Sequence, residues 1–104
     1  MTRKIALKLH DDDNIAVCTS EAATGDEITV VLPDGSEAPI TAASAITFCN
    51  KIALKDLACG ETVLKYGESI GRTTAAIPKG SLADHRNIAS QPRAYADEYL
   101  IKEA

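Results

Sequence analysis

The sequence predicts a small, mainly β domain, and three observations carry that expectation. Between Asn50 and Asn87, glycines stand at 60, 67, 71 and 80. That density disfavours a helix, because each glycine adds backbone entropy and invites positive φ. The apolar residues between them come in doublets and triplets with β-branched members, Ile52, Val63, Ile70 and Ile77. Such a texture reads as short strands joined by tight turns. Finally, a reversal motif recurs: Leu57-x-x-Gly60-Glu61-x-Val63 is echoed by Ile77-x-x-Gly80-Ser81-x-Ala83 and by Ala22-x-x-Gly25-Asp26-x-Ile28. Each copy sets down an apolar residue, a turn ending on glycine and the start of a strand. The spacing is too irregular for a solenoid.

The elements follow in order. Ile5, Leu7 and Leu9 alternate with Lys4, Ala6 and Lys8, which predicts a strand over Ile5–Leu9. Asp11 to Asn14 reads as a polar turn whose side chains bond their own backbone. Strands are expected over Ile15–Cys18 and Ile28–Leu32, the second turned back by Pro33-Asp34-Gly35. Pro39 and Ile40 lead into a strand-like piece ending near Phe48, and Lys51–Leu54 and Thr62–Lys65 supply two further strands. From Ser90 onward the texture changes. Ser90 can cap a helix, Pro92 suits its first turn, and Tyr95 and Tyr99 share a face. The chain thus divides into a β domain over 1–89 and a helical tail over 90–104.

Composition narrows the function. A chain of 104 residues allows one modest core, and with three Tyr, one Phe and no Trp that core is aliphatic. The net charge is −4 and the 11 basic residues are scattered, which argues against nucleic acid or an anionic membrane as partner. No apolar run reaches the roughly 18 residues of a spanning helix. The N-terminus lacks the apolar centre of a signal peptide, so the expected compartment is the cytoplasm. Cys18, Cys49 and Cys59 have no C-x-x-C spacing and read as reduced, mostly buried small hydrophobes.

No self-contained catalytic constellation is present: neither G-x-S-x-G, nor H-E-x-x-H, nor a P-loop. His10 precedes an aspartate run and reads as a solvated turn residue, and Tyr66 reads as core with its hydroxyl in water. The densest set of polar and titratable groups is Asp84-His85-Arg86-Asn87. There an arginine can clamp a carboxylate, and Asp or His can move a proton.

The run K-I-A-L-K-D-L-x-x-G-E-x-V-x-K-Y-G-x-x-I-G-x-x-T, from Lys51 to Thr74, resembles the SAF domain of altronate and galactarate dehydratase-type enzymes, a group that includes the sulfolactate sulfo-lyase small subunit. The resemblance extends over about Lys4 to Asn87 and implies a β-clip of bent hairpins. In such relatives the position of Asn50-Lys51 reads His-Lys, and the last segment alternates histidines as G-E-H-V-H-V-H-N. Those histidine positions fall here on Leu82, Asp84 and Arg86, with Asn87 on the closing Asn and His85 on an intervening apolar position. Strand parity then predicts Asp84 and Arg86 on one side. Arg86 is no general base, and a carboxylate beside it is held ionised, so a changed substrate or a binding role is favoured.

The resemblance implies the small subunit of a hydro-lyase acting on sugar acids or related 2-hydroxy acids. It would cap the active site of a separate large subunit, which would carry the machinery and any divalent metal. This chain would hold no metal or other cofactor. Asp84, His85, Arg86, Asn87 and Asn50 are the expected substrate contacts. The alternative is a non-catalytic SAF module recognising an acidic ligand or a protein partner, and a homo-oligomer is compatible with either.

Overall fold

A computed structural model describes residues 4–90. These form nine strands: β1 (Ile5–Leu7), β2 (Ile15–Cys18), β3 (Glu27–Val31), β4 (Glu37–Thr41), β5 (Lys51–Ala53), β6 (Thr62–Lys65), β7 (Glu68–Thr73), β8 (Leu82–Ala83) and β9 (Ile88–Ser90). Six pair in the order β4-β3-β1-β2-β5-β8, and three form a second sheet, β6-β7-β9. All pairings are antiparallel except β1 with β3. No helix occurs among the described residues. Ser90, expected to cap the tail helix, is the last residue of β9, opposite Gly71. The remainder of the predicted helix lies outside the described residues.

The reversal motif organises the chain, and it occurs four times rather than three. The fourth copy is Ile46-Thr47-Phe48-Cys49-Asn50, hidden in the sequence because Cys49 stands where the others have glycine. Cys49 takes the same left-handed conformation (φ 64°) as Gly25, Gly60 and Gly80 (φ 91°, 83° and 86°). In every copy the fifth residue donates its amide to the carbonyl of the second: Asp26 to Ala23, Asn50 to Thr47, Glu61 to Ala58 and Ser81 to Pro78. Where the fifth residue is acidic, its carboxylate also accepts the second residue's amide, Ala23 on Asp26 and Ala58 on Glu61, at 2.9 and 3.0 Å. Pro78 has no such amide, and there the fifth residue is a neutral serine.

The turns pair in twos. Ala22 and Ile46 exchange backbone bonds, as do Leu57 and Ile77. Gly25 and Asp26 bracket Ala42 just as Gly60 and Glu61 bracket Thr73. The domain is therefore two copies of one unit, each a hairpin (β3–β4 or β6–β7) held between two turns. Each unit has its own core. Ala16, Cys18, Ile28, Val30, Ile40, Ile46 and Ile52 fill the first, with Leu54 and Leu82 against it. Ile15, Ala53, Leu57, Val63, Ile77, Ala83 and Ile88 fill the second. Neighbouring residues of β2 and β5 serve opposite cores, because strand side chains alternate between faces. The units approach closely at Gly80, where a Cβ would lie 2.3 Å from the Thr41 carbonyl oxygen.

Several expectations need correction. The chain between Thr41 and Asn50 is a paired turn, not a strand running to Phe48. Only Cys18 is buried; Cys49 and Cys59 are exposed because both sit at turn tips. Tyr66 is 64% exposed at the β6–β7 tip, since its positive φ (58°) places it in the turn and not on a core-facing strand position.

Candidate functional site

Asp84, His85, Arg86 and Asn87 form a tight turn between β8 and β9. β8 ends at Ala83, so strand parity does not extend to Asp84 and Arg86. Local hydrogen bonding ends the strand. Asn87 accepts the Asp84 amide on Oδ1 at 2.8 Å and donates Nδ2 to the Leu82 carbonyl at 2.8 Å. Asp84 accepts the Arg86 amide at 3.0 Å, and its carbonyl takes the amides of Asn87 and Ile88. Asp and Asn commonly close turns through such local side-chain bonds.

The Asp84 carboxylate is buried and Arg86 folds back over it. Arg86 Nε lies 3.1 Å and Nη2 2.9 Å from Asp84 Oδ2. The Arg86 side-chain hydrogen bond, aided by the Arg86 amide and charge against the opposing effect of burial, holds the Asp84 carboxyl below its usual range. Arg86 stays largely exposed, and its Nη1 makes no bond to another described residue, leaving that edge to face solvent. His85 is exposed beside it.

Asn50 reaches the same end of the fold by a different route. Lys51 pairs with Ala83 on the last rung of the β5–β8 ladder, which sets Asn50 just beyond that rung at the same end as Asp84. The Asn50 carbonyl accepts the Cys18 amide, and its Nδ2 donates to Thr47 Oγ1. The structure therefore gathers all five expected residues, although the Asn87 side chain is consumed by the turn and Asp84 by the turn and Arg86.

Two lysines were missed by sequence reasoning. Lys51 is half-buried beside this turn. Burial pushes its amine below the usual lysine range, the nearby Lys65 charge adds to that, and Asp84 opposes it. Lys65 Nζ sits 5.6 Å from the centre of the Tyr66 ring. A signal existed: each lysine stands two positions from a residue of the second core, Ala53 and Val63.

A second concavity, of about 530 Å³, is lined by Lys8, Asp13, Asn14, Leu54, Glu61 and Thr62 among others. Three of these polar side chains are engaged in holding the fold. Asp13 accepts the amides of Tyr66 and Gly67, and Asn14 bonds both Thr62 and Leu64. Glu61 holds Ala58 and Lys55. Among the described residues no group of three or more His, Cys, Asp or Glu side chains could hold a metal ion. Nor is any helix there long and apolar enough to cross a membrane.

Known proteins share this chain's features. It is 35% identical over 78 residues to "Galactarate dehydratase (L-threo-forming)" of Escherichia coli (strain K12), covering 75% of this chain and 14% of that protein. Against "Altronate dehydratase" of the same organism it is 35% identical over 74 residues, 71% of this chain and 14% of the relative. It also matches "(2R)-sulfolactate sulfo-lyase subunit alpha" of Paracoccus pantotrophus, 46% identical over 43 residues, 41% of this chain and 64% of that subunit. The chain thus spans about one seventh of the length of either dehydratase. Residues 4–91 fit the profile of the "Altronate/galactarate dehydratase SAF domain". The match takes in all nine strands, and the chain belongs to that family of SAF domains.

Proposed function

We propose that this chain serves as the SAF domain of a dehydratase-type lyase acting on sugar acids or related 2-hydroxy acids. In this reading it works as a small subunit that covers the active site of a large subunit. The family match over residues 4–91 carries the proposal. The likeness to a sulfo-lyase subunit alpha adds a precedent for this domain in a multi-subunit enzyme. The β-clip topology, a cytoplasmic setting and the helical tail belong to the same reading.

The chemistry of the turn supports binding rather than catalysis. Asp84 is held ionised by Arg86, so it is poorly placed to deliver a proton. Arg86 never gives up its proton at working pH, yet its outer edge can donate to a substrate carboxylate. Proton abstraction next to that carboxylate, loss of water and any divalent metal are assigned to the large subunit. The domain's part is to shield the site and to hold the acid group.

A second reading is favoured by one observation: Asp84 and Arg86 occupy each other. On it the domain is a non-catalytic module that binds an acidic ligand or protein partner. Capture of the tagged chain from its native host separates the two. The first reading expects a polypeptide of several hundred residues to accompany it and the complex to dehydrate an aldarate, while the chain alone stays inactive. Recovery without such a polypeptide, or turnover by the chain alone, would overturn it.

A further inference from the structure

Tyr66 is held in a backbone conformation that its side chain resists. Lys65 pairs with Glu68, so Tyr66 and Gly67 are the two loop residues of the β6–β7 hairpin. Both have positive φ, 58° and 74°. A two-residue loop of that kind needs left-handed backbone at both positions, which suits Asn-Gly and strains a tyrosine. Among the described non-glycine residues only Cys49 shares that conformation.

The fold is built to hold this strain. Buried Asp13 commits one carboxylate oxygen to the Tyr66 amide at 3.0 Å and the other to the Gly67 amide at 2.8 Å. The His10 ring lies against Gly67, with three of its carbons 3.0 Å from where a Cβ would stand. His10 is itself tied down, its Nδ1 accepting the Asp12 amide at 3.1 Å. Yet the ring presented by this support adds nothing to the core. Tyr66 is 64% exposed, and its hydroxyl has no hydrogen-bond partner among the described residues. The charged group beside it is the Lys65 amine, 5.6 Å from the ring centre, which forms no ion pair with another described residue. Backbone strain that the surrounding structure enforces, at a side chain the core does not use, marks a contact made outside the domain.

We propose that Tyr66 is an anchor that enters an apolar hollow on a second protein chain, with a carboxylate at the rim of that hollow meeting Lys65. Tyrosine is among the residues that concentrate binding energy at protein interfaces. A side chain already fixed on a rigid turn also loses little freedom on docking. This rests on the reading that the domain works as a small subunit, and it makes the large subunit the partner. The tip is remote from the Asp84–Asn87 turn. Glu68 begins β7 at the tip, whereas Thr73 ends it opposite Ile88, next to the turn. Five residue steps of extended strand separate the two ends by about 17 Å. Tyr66 therefore serves assembly, and contact with substrate is left to the turn.

The test is the affinity of the intact chain and its variants for the large polypeptide recovered with it in an aldarate-dehydrating complex. Tyr66→Asn keeps the left-handed turn and the amide that Asp13 accepts. It should melt at or above the wild-type temperature, yet bind the large polypeptide at least about tenfold more weakly. At saturation its complex should turn over like the wild type. Tyr66→Phe should bind nearly as tightly as the wild type, and Lys65→Met more weakly. Should Tyr66→Asn fail to fold, Tyr66→Gly, which suits the turn still better, decides in its place. Unchanged affinity in Tyr66→Asn or Lys65→Met, a lower melting temperature in the tyrosine variant that folds, or altered turnover of its saturated complex would overturn the anchor. A wild-type chain that binds no large polypeptide brings down the small-subunit reading and the anchor with it. A wild-type complex that Tyr66→Asn forms equally well brings down the anchor alone.

Discussion

The Asp13 carboxylate accepts the amide of Gly67 at 2.8 Å across 54 residues of sequence, and that of Tyr66 at 3.0 Å. Asp13 is only 4% exposed. It takes over the acceptor role that a longer hairpin loop would supply itself. Its neighbour Asn14 does the same one step along, accepting from Leu64 and donating to Thr62. These two side chains fasten the three-stranded sheet to the six-stranded one.

Replacing Asp13 with Ala should therefore loosen the β6–β7 hairpin first. Two amides would lose a charged acceptor, a cost of about 1.5–3 kcal/mol. Asp13→Asn keeps one acceptor oxygen and should lose less. Urea denaturation measures the totals, and hydrogen exchange at Tyr66 and Gly67 shows whether the loss is local. A change under about 0.5 kcal/mol for Asp13→Ala, within the range of an ordinary surface substitution, would contradict this account.

Gly25 and Gly80 separate conformational strain from crowding. Both hold positive φ, but a Cβ at Gly25 meets nothing within 4 Å, whereas one at Gly80 collides with the Thr41 carbonyl. Gly25→Ala should cost about 1–2 kcal/mol from the left-handed conformation alone. Gly80→Ala carries that cost and must also push the two units apart. Thermal unfolding should rank Gly80→Ala clearly below Gly25→Ala, and equal melting temperatures would refute the close approach.

Asn87 and Arg86 should part company in stability measurements. Asn87→Ala breaks two side-chain bonds to backbone, to Asp84 and Leu82, at about 1 kcal/mol each. Arg86→Gln should barely change stability at neutral pH, because its guanidinium lies largely in solvent.

The titration of Asp84 should report the Arg86 contact more directly. Asp84 titrates below its ordinary value of 3.8 in the folded chain, with the Arg86 side chain as the largest cause. A group with a lowered folded pKa contributes its stability above the unfolded value and loses it as pH falls through the folded value. Arg86→Gln should raise the Asp84 midpoint, seen by carboxyl NMR, and the variant should lose less stability than the wild type as pH falls below about 4, so that any difference between them narrows in acid. An unmoved midpoint would mean that Arg86 does not hold Asp84 in solution.

The cysteines offer a direct probe of burial. Burial raises the Cys18 thiol to about 11, so it is both covered and protonated near neutrality. Cys49 and Cys59 are exposed at turn tips. A thiol reagent should modify two cysteines quickly in the native chain and the third only on unfolding. Three equal rates would show that the first core does not close over β2.

Local chemistry made much of this domain legible from its sequence. Glycine spacing and β-branched doublets gave Ile15–Cys18 and Thr62–Lys65 with their observed ends, and Lys51–Ala53 one residue short of expectation. The motif glycines marked three of four reversals because only a residue at ease with positive φ suits that position. Cys49 hid the fourth, since nothing local announces a strained non-glycine residue. Long-range hydrogen bonding lay beyond reach. Asp13 and Asn14 looked like self-bonded turn residues, and only the packing of β6 and β7 against them turned their side chains outward to partners some 50 residues away. At the candidate site, sequence singled out the Asp84–Asn87 cluster and treated it as strand. Tertiary structure made it a turn, folded Arg86 onto Asp84, and set Lys51 opposite Ala83 beside it, because strand register and not sequence distance decides which residues meet.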